Sequence, residues 1–180
     1  MCDGKVRRTT VTEVAGKAPM QATVAIAGDE VLVAWIDEVP AIIAPPPAGK
    51  KVGVAPSQPM KAPPPPQRQS DVFFALLDAR GAVKARGSMP VSGLAQSPVA
   101  RFDGTSWWVA WTEHRDDHEA VLAAKLTRAG QREGELVPVG QAWEGPVWVS
   151  LAAAGAITNV LISHPNAAPC VLSWAQLPQG

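Results

Sequence analysis

Glu113-His114-Arg115-Asp116-Asp117-His118-Glu119 is an unbroken run of ionisable side chains. His114 and His118 stand four residues apart, a spacing that a helix would turn into a zinc-binding pair. The flanking residues argue against a helix. Trp107 to Trp111 and Ala120 to Leu126 are apolar β-type runs, so the charged segment reads as a connection between strands. In such a connection the two imidazoles do not align, and the sequence offers no third ligand nearby, so no metal site is expected. What remains is a solvated turn or a ligand-binding loop. Two further segments join it as candidates: Ser163-His164-Pro165-Asn166, and the pair Trp143 and Trp148 around Gly145-Pro146. The candidate ligand-binding residues are therefore His114, Arg115, Asp116, Asp117, His118, Trp143, Trp148, His164 and Asn166. The chain has no Gly-x-Ser-x-Gly elbow, no Cys–His pairing suggested by sequence and no glycine-rich phosphate loop. No catalytic residue and no cofactor are expected.

The elements that must position these residues come in repeats. The turn Gly28-Asp29 precedes EVLVAWIDE as Asp103-Gly104 precedes SWWVAWTEH, and the step from glycine to tryptophan is seven residues both times. Gly81 and Gly130 are 49 apart and Gly104 and Gly155 are 51 apart, which sets a period near 50. That length suits a four-stranded propeller blade. Each repeat reads as four short strands. The first strand is Ala22 to Ala27, Pro98 to Phe102 or Val147 to Ala152, and the second is Val31 to Ile36, Trp107 to Thr112 or Ala156 to Ser163. The third is Val72 to Leu77, Ala120 to Leu126 or Cys170 to Leu177, and the fourth is Ala82 to Val91 or Gln131 to Val139. The third repeat has no fourth strand of its own, while Gly4 to Val14 resembles one in turn position, length and polarity.

The expected fold is an all-β propeller with three four-stranded blades per chain, the N-terminal strand completing the last blade. Three blades are too few to surround an axis. Two chains would make a six-bladed ring as a homodimer by strand exchange, with no free sheet edge. The β-trefoil, also three repeats of four strands, is the alternative. The whole chain, 1–180, is read as one domain, with repeats at about 16–92, 93–141 and 142–180 plus 4–14. A proline-rich insertion at 39–70 holds Pro45-Pro46-Pro47 and Pro63 to Pro66, tracts that favour extended polyproline II. Trp35, Trp107, Trp108, Trp111 and Trp174 fall within strand runs and are expected to pack between sheets.

Composition narrows the partners. Lys plus Arg and Asp plus Glu number 16 each, and the cluster Lys5, Arg7, Arg8 is too small for a nucleic-acid stripe. No apolar run reaches the roughly 18 residues of a membrane helix, and no secretory signal is evident in the chain as given. Cys2 and Cys170 form no metal motif, and their expected strand positions place them too far apart for a disulfide.

The pattern VA…G…(W/L)VAW(T/I)(E/D), then …A.(K/L)L…G and a polar strand, resembles bacterial β-propeller repeats of secreted or lipid-anchored proteins. The resemblance implies a propeller and an extracytoplasmic setting, with Cys2 similar to an acylation cysteine. Asp103-Gly104-Thr105-Ser106-Trp107 resembles the aspartate box of sialidases but departs in spacing and turn, so no sialidase chemistry comes with it. Fold does not fix function. The readings left open are a non-catalytic binding or assembly module, a carbohydrate-binding lectin, and a glycoside-type hydrolase.

Overall fold

The computed structural model describes residues 18–39, 69–140, 142–154, 157–164 and 171–178. Among them there is no helix. The strands are β1 (Ala18–Ala27), β2 (Glu30–Val39), β3 (Gln69–Leu77), β4 (Val83–Met89), β5 (Leu94–Phe102), β6 (Trp107–Arg115), β7 (His118–Leu126), β8 (Arg132–Pro138), β9 (Trp148–Ala154), β10 (Ile157–His164) and β11 (Val171–Gln176). Each strand pairs antiparallel with its neighbour in sequence, giving the sheets β1-β2-β3-β4, β5-β6-β7-β8 and β9-β10-β11. The expected strands appear within a few residues of their expected bounds. β2 runs on to Val39 and β3 starts at Gln69, each a few residues longer than the expected strand. Gly4 to Val14, the proline tracts, Cys2, Cys170 and Asn166 lie outside the described residues.

Side-chain alternation along β6 holds the three sheets together. Trp107, Val109 and Trp111 point to one face and pack with Leu32, Ala34, Val72, Phe74 and Leu76 of the first sheet. Trp108 and Ala110 point to the other face and meet Val149, Val160 and Ile162 of the third sheet. The middle sheet is thus covered on both sides, and β5 lies against β1 and β9. A fully buried tryptophan removes roughly 150–250 Å² from water, on the order of 4–6 kcal/mol of transfer free energy. That gain outweighs a defect, since the indole N–H groups of Trp107 and Trp111 are buried without an acceptor. Trp174 departs from the expectation. It stands on the outer face of the third sheet and is exposed, because no further sheet of the described chain covers that side.

Polar fasteners act at both ends of the stack. Where β2 begins, the Glu30 carboxylate accepts from Lys84 of β4 and from Arg128 Nε, 2.8 Å away in the β7–β8 turn of the second sheet. Those hydrogen bonds, from Lys84 first and then Arg128, hold Glu30 below the usual carboxylate range. The outer hairpins are capped alike: Asp78 accepts from the backbone of Arg80 and Ala82, and Thr127 Oγ1 accepts from Gln131 N. Gly130 sits in that second turn at φ 79°, and a Cβ there would lie 2.9 Å from the Ala85 methyl of the first sheet. Glycine is therefore required both by the left-handed backbone and by the close approach of the two sheets.

Candidate functional site

The charged run is not an open loop. β6 and β7 continue through it as a ladder pairing Glu113 with Ala120, His114 with Glu119 and Arg115 with His118, which leaves only Asp116-Asp117 as the turn. Asp116 takes a left-handed backbone (φ 49°), which aspartate tolerates better than most residues. Neighbouring pairs of a ladder face opposite ways. His114 and Glu119 therefore share one face of the hairpin, and Glu113, Arg115 and His118 share the other. The two imidazoles point apart. His114 Nδ1 lies 3.0 Å from Glu119 Oε1, and His118 Nδ1 lies 3.2 Å from Asp117 Oδ1. The hydrogen bond from His118 lowers the exposed Asp117 carboxyl below its usual range. Among the described residues no three His, Cys, Asp or Glu side chains gather in a group able to hold a metal ion.

Arg115 is committed elsewhere. Glu113 is completely buried, and its Oε1 accepts from Arg115 Nε at 2.8 Å and from the backbone of Ser92 at 2.9 Å. Ser92 belongs to the β4–β5 connection, so the pair fastens that connection to the hairpin. Gly93 beside it passes so close to the His114 carbonyl oxygen that a Cβ would collide with it. Glu113 Oε2 is left buried without a partner, and so is Oδ1 of Asp37, which stands two residues after the VAW of β2 as Glu113 does after that of β6.

The next connection is held in a parallel way. Glu119 and Trp143 exchange two backbone hydrogen bonds, Glu119 N to Trp143 O at 2.8 Å and Trp143 N to Glu119 O at 2.9 Å. In the first sheet Ser70, at the corresponding ladder position, makes its link with its side chain, its Oγ accepting from Ala95 N at 2.6 Å. Trp143 is half-buried against the core between the second and third sheets, with its ring over Gly140. Trp148 is exposed on the outer face of the third sheet. The backbone of His164 ends β10 at the same end of the stack, paired with Val171. The structure thus brings together the hairpin residues and Trp143, and places Trp148 on a separate face.

Between the first two sheets, at this same end, lies a cavity of about 270 Å³ lined by Met20, Gln21, Ile36, Ser70, Leu94, Ala95 and Gln96. Its rim carries backbone strain. Gln21 (φ 39°) and Ser97 (φ 51°) sit at β-bulges in the first strands of the first and second sheets, and Ser97 N donates to the Gln21 side chain. Non-glycine residues held there cost about 1–3 kcal/mol each and cluster at functional sites. Gln21, Gln96 and Ser92 stand outside the sequence's candidates, as does Glu113 although it opens the charged run. The acidic residue two places after VAW in both β2 and β6 is a visible signal for Asp37 and Glu113; nothing in the sequence marks the bulges.

No protein-family model matches this chain, and no curated protein matches it either.

Proposed function

We propose that this protein is a non-catalytic binding or assembly module, half of a six-bladed propeller ring, with its contact surface at the end of the stack that carries the β6–β7 turn. The sheet order supports the propeller over the trefoil, because each repeat forms its own up-and-down sheet and the sheets pack face to face. One observation carries the binding reading. At this end the buried polar groups are spent on fixing the connections, Glu113 on Ser92 and Arg115, Glu119 on Trp143. Asp116, Asp117 and His118 are left projecting from a rigid hairpin, at the end of the stack where the cavity also lies. Polar groups held out by a stiff scaffold suit recognition.

The test separates binding from folding. Asp116→Asn, Asp117→Asn and His118→Gln together should leave the melting temperature within about 1–2 °C of wild type, since surface changes cost under about 0.5 kcal/mol. The same triple variant should lose whatever the wild type retains in a glycan array and in a surface-display peptide screen. Equal retention by wild type and variant in both screens refutes the assignment of this face. Glycan hits that vanish instead with Trp143→Ala or Trp148→Ala would support the lectin reading.

A further inference from the structure

We infer that the outer face of the third sheet docks on the outer face of the first sheet of a second copy of this chain. This deepens the half-ring reading and rests on it. The third sheet's outer face is open and apolar, and the first sheet's is open along β1, while Trp35 and Ala75 farther across that same face are buried. Trp148 is 60% exposed, Leu161 38% and Trp174 70%, and Leu161 lies directly opposite Trp174 in the ladder. On the first sheet Val24 is 56% and Ile26 70% exposed, on alternate residues of β1. Singly exposed apolar residues are ordinary, but contiguous ones at both ends of a stack mark an interaction surface.

The repeats say what covers them. Counting from the repeat glycines Gly28, Gly104 and Gly155, the fourth and sixth residues are Leu32 and Ala34, then Trp108 and Ala110, then Asn159 and Leu161. The first pair packs onto the second sheet and the second pair onto the third. The third set belongs to the exposed face and meets no sheet of the described residues. The third, fifth and seventh residues form the receiving face: Trp107, Val109 and Trp111 take the first sheet, and Val160 and Ile162 take the second. In the first repeat the receiving face is the one to which Val24 and Ile26 belong, since Val24 pairs with Val33 and Ile26 with Val31. A donating face at one end and a receiving face at the other continue the same stacking into a second chain. Two chains related by a two-fold axis make this contact twice and close the ring; a step that does not close would build an open polymer.

Light scattering on the full chain, with single substitutions on each face, tests this. The wild type should weigh twice the 18.9 kDa chain. Trp174→Asp and Ile26→Asp should each weigh a single chain with an unchanged far-UV spectrum. Each should raise the dissociation constant about a hundredfold, because a buried anchor is lost at two contacts. Trp174→Phe should restore most of the association. Should an Asp variant misfold, dilution of the wild type is the second measurement, and its tryptophan emission should shift to the red as Trp148 and Trp174 re-enter water. A two-chain particle that survives both substitutions overturns the interface but leaves the half-ring reading standing. Longer particles dissolved by both substitutions support the interface and overturn the two-chain ring. A wild-type mass of one chain overturns both.

Discussion

Replacing Asp103 by asparagine probes the turn that sets the middle sheet. Asp103 Oδ1 accepts from Thr105 N and Ser106 N at 2.8 Å and from Thr105 Oγ1 at 2.9 Å, and Oδ2 accepts from the Trp108 indole at 2.9 Å. Burial works to raise the pKa of this carboxyl. The hydrogen bonds from Ser106, Thr105 and Trp108 outweigh burial and hold it below its usual value. Asparagine keeps one acceptor for the turn but must aim its NH₂ at the indole N–H, so donor meets donor. A hydrogen bond to a charged group contributes about 1.5–3 kcal/mol, and the loss falls mainly on one of four, so Asp103→Asn should cost about 2–3 kcal/mol at pH 7. In a Trp108→Phe background the same change should cost about 1 kcal/mol less, because no indole is left to face the amide. The pH dependence follows from the lowered pKa. The charged form is favoured in the fold, so its contribution is present above the unfolded pKa of about 3.9 and fades as pH falls through the folded value. The gap between wild type and variant should narrow below about pH 4. Urea unfolding followed by far-UV circular dichroism at pH 7 and pH 3 measures it. A loss under about 0.5 kcal/mol at pH 7, or an undiminished gap at pH 3, refutes this account of the turn.

Two further outcomes follow from the packing. Arg115→Ala strips the buried Glu113 of its side-chain partner among the described residues and should destabilise by about 2 kcal/mol, less than for a wholly buried pair because Arg115 itself is partly exposed. A melting temperature unchanged from wild type would return Arg115 to the pool of free ligand-binding groups. Gly130→Ala imposes a left-handed alanine, about 1–2 kcal/mol, and drives a methyl against Ala85. A total of about 2–3 kcal/mol is expected from denaturant titration, and a neutral substitution would show that the two sheets do not meet there.

The sequence alone determined the strands, their turns and their grouping into sheets. These depend on local rules: alternation of apolar residues and glycines that allow a left-handed turn. Connection length does not set the grouping by itself, since β2 and β3 pair across the insertion while β4 and β5, close in sequence, belong to different sheets. The fate of individual side chains did not follow. Arg115 looked like a free cation until the β4–β5 connection placed Ser92 beside Glu113, a contact across 21 residues. Trp174 reads as core because it falls within a strand run, as Trp108 does. Whether a strand face is inside depends on whether another sheet stacks on it, and only the three-dimensional arrangement decides that.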